Sequence, residues 1–212
     1  MSEGSNSSVL SYVITLGAVA IGWALGETSG WFKKRYSVRN LKKSLFLEIE
    51  DCHSWLLRNQ ITLEHLIQLA VLKEVGEFGP VEVPTYIYDN HIPQILPHLS
   101  RSERISYNSI YNLIRSSHKD SIKLRELAQK ENSADFEIKE FSSILEAVFY
   151  NTSLAIFQIQ YHLDNTSTLD VDQFSAKFTK ELEHKINNRI HELCIEAKQI
   201  GLAEVHQKYI EN

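Results

Sequence analysis

Residues 9–26 read VLSYVITLGAVAIGWALG, eighteen positions without a charge. At about 1.5 Å of rise per residue this stretch spans roughly 27 Å as a helix, close to the thickness of a bilayer's hydrocarbon core. It predicts one transmembrane helix. The preceding residues, MSEGSNSS, contain no Lys or Arg, and the apolar run lacks a convincing cleavage site, so a cleaved signal peptide is the poorer reading. Downstream, Lys33, Lys34, Arg35, Arg39, Lys42 and Lys43 all come before the next acid, Glu48. Such a basic flank stays in the cytoplasm, which turns the N-terminus outward. Trp23, Trp31 and Phe32 lie toward the same end, where aromatic rings favour the headgroup region.

The span is not uniformly apolar. Ser8, Ser11, Thr15, Ala18, Gly22 and Ser29 recur at spacings of three, four and seven, and Gly26 follows Gly22 as a GxxxG step. A small-residue face lets helices approach closely, so association in the membrane is expected, with Gly22 and Gly26 as packing positions. Two arrangements fit. In one the stripe only packs helices together. In the other a ring of helices turns Ser11, Thr15, Ala18 and Gly22 toward a water-filled lumen, with Glu27 at the inner mouth as an acid ring favouring cations, or else as a solvated boundary residue.

Beyond the span the chain predicts an all-α domain. All four prolines (Pro80, Pro84, Pro93, Pro97) and Gly76 and Gly79 fall in one window, residues 76–99, the one clear break. Before it, Leu41, Leu45, Ile49, Cys52, Leu56, Leu63, Leu66 and Ala70 recur at helical spacing and predict a long helix from the membrane exit to about Val75. After it, Ser100 and Glu103 read as a capping box opening a helix that runs to about Lys130. Another helix carries Phe141, Leu145, Val148, Thr152, Ala155, Ile159 and Leu163. A last one keeps Val171, Phe174, Phe178, Leu182, Ile186, Ile190, Leu193, Ala197 and Ile200 on one stripe. The organisation expected is therefore an outer tail at 1–8, the span and its interface at 9–32, and one cytoplasmic helical bundle of long amphipathic helices at 33–212.

The net charge of -5 hides an uneven distribution. Between residues 101 and 130, seven basic residues face three acids; from Glu131 onward fourteen acids face seven basic residues. The basic helix carries Arg101, Arg104, Arg115, Lys119 and Lys123 with Tyr107 and Tyr111 among them. That interleaving suits a phosphate-bearing ligand whose bases stack on rings, and it equally suits a solvated face.

Catalytic motifs are missing from the sequence: there is no Gly-rich phosphate loop after a strand, no nucleophile elbow, no paired Cys motif and no HExxH. An enzyme is not expected, and neither is a cofactor. His184, His191 and Cys194 share roughly one helical face, but three ligands on one helix seldom close a metal site, so none is assigned. Cys52 and Cys194 read as buried thiols of a reducing compartment.

The segment VPTYIYDNHIPQILPHLS (residues 83–100), followed by Glu103 and Tyr111, resembles a stretch found in bacterial single-pass helical proteins. In layout, with a short outer tail, a small-residue span and a cytoplasmic helical domain, the chain is similar to membrane effectors of bacterial anti-phage defence systems, the Hailong-type effector channels among them. The resemblance implies a homo-oligomeric, tetrameric ion channel in the bacterial inner membrane. Its cytoplasmic domain would sense an oligonucleotide made by a partner nucleotidyltransferase, and its opening would depolarise the infected cell. The alternative is a membrane-anchored helical adaptor that recruits a protein partner and conducts nothing.

Overall fold

The computed structural model describes the backbone of residues 4–76, 79–130, 137–165 and 179–211, and the side chains of 22–23, 35–76, 79–130, 137–165 and 180–209. These residues form α1 (Gly4–Val71), α2 (Tyr86–Ile95) with a 3-10 turn after it (Leu96–His98), α3 (Arg101–Ala128), α4 (Ile138–Asp164), α5 (Thr179–Ile200) and α6 (Leu202–Glu211). The described chain is all-helical, with no strand. It divides into two compact units, residues 1–44 and 45–212.

In the first unit, Trp23 and Tyr36 are exposed, and a Cβ added at Gly22 would meet nothing within 4 Å. Among the described residues no helix is long and apolar enough to cross a membrane. The side chains of Ser11, Thr15, Ala18, Gly26 and Glu27 lie outside the described residues and are placed only as positions along α1.

In the second unit the spacing read from the sequence becomes burial. Leu45, Ile49, Cys52, Leu56, Leu63 and Leu66 are all buried on one side of α1. Leu63, Leu66 and Ile67 join Leu124 of α3, Phe141, Leu145, Val148 and Phe149 of α4, and Ile186 and Leu193 of α5 in one apolar cluster. Each large side chain removed from water there contributes about 1.5–3 kcal/mol. α3 and α4 run antiparallel, since Ser106 meets His162 at one end and Ser117 meets Thr152 further along, each pair at 2.8 Å.

The helix expected to reach about Val75 stops at Val71, and the reason is local. Lys73 adopts φ 64, its N–H donates to the Ala70 carbonyl at 3.1 Å, and the Glu74 N–H donates to the Leu69 carbonyl at 3.0 Å. That pair of bonds is a Schellman stop, with a lysine where glycine is the usual choice. Gly76 then passes close to the core: a Cβ there would lie 2.4 Å from Leu66 Cδ2. The capping box opening α3 is present, with Glu103 N–H donating to Ser100 Oγ at 3.1 Å and Ser100 N–H donating to Glu103 Oε2. Within the Gly/Pro window the chain forms α2, with Pro93 inside it, where the sequence reading has only a break. At the other end, Gly201 at φ +77 separates α5 from α6, which the sequence reading does not anticipate. Val171, Phe174 and Phe178, expected to begin the last helix, lie outside the described residues.

Candidate ligand surface on α3 and the neighbouring cavities

The first turn of α2 receives its cap from α1. Its own N-cap residue, Thr85, makes no capping bond, and its hydroxyl donates instead to Asp89 Oδ2 at 2.6 Å. The free N–H groups of Ile87 and Tyr88 point at the buried carboxylate of Glu48, which accepts from Ile87 on Oε2 and from Tyr88 on Oε1 at 3.0 Å. A carboxylate here completes the unsatisfied donors of a helix N-terminus and meets the positive end of its dipole. The Tyr111 hydroxyl of α3 donates to the same Oε1 at 2.7 Å. The Tyr111 ring stacks on Tyr88 at 3.7 Å between centroids, and the Arg115 guanidinium lies 5.4 Å over the other ring of that pair, Tyr88. Arg115 closes the circuit on Asp89 Oδ1. Burial, reinforced by Glu48, pushes the Tyr111 hydroxyl far above its ordinary pKa, so it remains a donor.

This arrangement corrects the ligand reading of α3. Tyr107 is 4% exposed and Tyr111 is fully buried, so neither ring is available to stack on a base. Tyr107 packs on His162 at 4.6 Å between centroids. At 3.6 residues per turn, Tyr107, Tyr111, Ile110 and Ile114 share the inward face. Arg101, Arg104, Arg115, Lys119 and Lys123 fall within about 100° of arc, centred about 120° around the helix from that face, over about 33 Å of helix. All five are exposed. Arg115 is tied to Asp89, and Lys123 pairs with Asp120 at 3.1 Å. The surface is therefore a partly neutralised basic stripe, able to meet phosphate charge but without aromatic platforms.

Ser106 Oγ and His162 Nδ1 form the one serine–histidine pair among the hydrogen bonds of the described residues. His162 is 3% exposed; burial lowers its pKa and the Glu103 charge opposes that. The bond joins α3 to α4, and neither cavity described below is lined by these two residues.

Two cavities lie among α1, α4, α5 and α6. One, of about 450 Å³, is lined by the apolar Leu57, Phe149, Ile156, Phe157, Leu182 and Ile186, with polar groups that include His53, Ser153 and Lys185. The other, of about 240 Å³, is walled by Glu64, His65 and Gln68 of α1, Arg189 of α5, and Lys208 and Tyr209 of α6. Arg189 holds Glu64 with a two-pronged fork, 3.1 Å to Oε1 and 2.7 Å to Oε2. Hydrogen bonding to Glu64 outweighs burial and keeps this guanidinium charged. No sequence signal announces the pair, because its members are 125 residues apart. His184 and His191 are exposed and Cys194 half-buried, and no group of three or more metal-ligating side chains occurs among the described residues.

Comparison of the chain with protein families, with curated proteins and with solved structures gives no match.

Proposed function

We propose that the chain is a single-pass membrane effector. Residues 9–32 cross the bacterial inner membrane with the N-terminus outside, and copies of the chain, four by the resemblance, pack through Gly22 and Gly26. Ser11, Thr15, Ala18 and Gly22 then line an ion pathway with Glu27 at its inner mouth. The helical domain gates this pore in response to an oligonucleotide made by a partner nucleotidyltransferase, as part of anti-phage defence. With Tyr107 and Tyr111 buried, such a ligand meets Arg101, Arg104, Arg115, Lys119 and Lys123 through its phosphates rather than through its bases.

The observation that carries this reading is α1. A single helix, Gly4–Val71, holds the uncharged stretch at 9–26 and also the core residues from Leu45 to Leu69. No glycine or proline falls between residues 31 and 75, so one run of helical backbone serves both. Measuring membrane potential in bacteria that express the chain tests the proposal. Depolarisation that disappears in Gly22→Leu/Gly26→Leu and in Ser11→Leu/Thr15→Leu supports a pore.

A second reading, the membrane-anchored adaptor, is favoured by Leu47, Leu57 and Ile61, large apolar side chains exposed on α1. An unchanged membrane potential, with or without a partner nucleotidyltransferase, overturns the pore and leaves this reading.

A further inference from the structure

α6 packs around one buried imidazole, that of His65. Gly201, with φ +77, turns the chain between α5 and α6, a conformation that glycine alone adopts without strain. Val205 is buried with Leu69 and Ala197 in a three-residue apolar cluster. Beside it, Tyr209 stacks on His65 of α1 at 4.3 Å between centroids and 13° between planes, and His206 meets the same ring edge-on at 5.3 Å. Lys208 Nζ donates to Glu196 Oε2 of α5 at 2.9 Å. Lys208 and Tyr209 thereby form the α6 wall of the 240 Å³ cavity.

His65 is 7% exposed, and its Nδ1 has no hydrogen-bond partner among the described residues. The charged groups around it come from three helices: Glu64 on α1, Arg189 and Glu196 on α5, and His206 and Lys208 on α6. Both acids are already committed, Glu64 to Arg189, and Glu196 to Gln68, Lys208 and Arg189. Among the described residues, a proton on His65 would place a cation in a site that offers no free carboxylate, beside a second imidazole and a lysine.

We propose that α6 is a pH-sensitive latch: it docks over the cavity while His65 is neutral and swings out about Gly201 when His65 takes up a proton. Burial, then His206, lowers the pKa of His65 in the docked form, so the undocked form binds the proton more readily. Docking is thus fully favoured above the free-histidine pKa of about 6.5 and weakens as pH falls through and below that value. Opening removes Lys208 and Tyr209 from the cavity wall and exposes Glu64, Gln68 and Arg189 to incoming solute.

Hydrogen exchange of the full chain at about pH 7.5 and about pH 5.5, corrected for intrinsic exchange, tests the latch. Protection of the α6 amides is expected to fall by about three- to tenfold on acidification, since one linked proton changes an equilibrium by at most tenfold per pH unit. Protection of the α4 amides should stay constant. His65→Phe, which keeps a stacking ring but cannot titrate, should hold α6 protection constant across the range, while His206→Gln should reduce the pH effect without abolishing it. An unchanged α6 in the wild type, a fall that persists in His65→Phe, or a parallel loss in α4 would each overturn the proposal.

Discussion

Glu48 Oε1 accepts the Tyr111 hydroxyl at 2.7 Å across 63 residues of sequence, and both side chains are buried. The bond joins α1 to α3 at the point where α2 begins, because the same carboxylate holds the N–H groups of Ile87 and Tyr88.

Removing one partner leaves the other buried without its bond. Tyr111→Phe should lower the stability of the helical domain by about 1.5–3 kcal/mol, the range for hydrogen bonds to charged groups. Glu48→Gln should be at least as severe, since its amide replaces an acceptor with a donor facing N–H groups. Chemical unfolding of the two variants checks this, and a Tyr111→Phe loss below about 0.5 kcal/mol would contradict it.

Asp89 sets a different expectation because it is exposed. Burial pushes its carboxyl up, but hydrogen bonds from Thr85 and Arg115 and the Arg115 charge outweigh that and hold it below its usual value. A depressed folded-state pKa contributes stability present above the unfolded value of about 3.9 and lost as pH falls through the folded one. With side chains 54% and 42% exposed, the Arg115–Asp89 pair should couple by no more than about 1 kcal/mol. A double-mutant cycle with Arg115→Gln and Asp89→Asn should show that coupling at neutral pH, keep it down to the unfolded carboxyl value, and lose it as pH falls further and in high salt.

Lys73 stands where a left-handed backbone ends α1. Lys73→Gly should stabilise the domain by about 0.5–1 kcal/mol, because glycine enters this conformation without the Cβ penalty. Gly201→Ala should destabilise by a similar amount through the same penalty at φ +77. Unfolding midpoints that move in the same direction for both substitutions would refute the argument.

The sequence disclosed those parts of the fold that depend on local chemistry. The Ser100–Glu103 box and the inward spacing of Leu45, Ile49, Cys52 and Leu56 are short-range patterns, and both appear in the structure as read. The Gly/Pro window hid α2, because that helix relies on a carboxylate 39 and 40 residues away and no local cap announces it. Tyr107 and Tyr111 lie among the arginines in sequence, although helical phase turns the face they share with Ile110 and Ile114 about 120° from the basic stripe of α3. The phase signal was available: Tyr107, Ile110, Tyr111 and Ile114 follow the same i, i+3, i+4, i+7 pattern that marks the core elsewhere. The α6 contacts with His65 had no such signal, since they depend on where Gly201 turns the chain.

The borrowed cap of α2 also orders events as the chain folds. A ten-residue helix containing Pro93 and lacking its own capping bond has little reason to persist alone, since nucleation is costly and short helices are marginal in water. Its first turn becomes satisfied only after a loop of about forty residues has closed onto Glu48. In a growing polypeptide that anchor emerges well before the residues it serves, so α2 condenses on a surface already made and belongs to the later stages of assembly. Excised as a peptide, residues 86–95 would lose the helix they form in the intact chain.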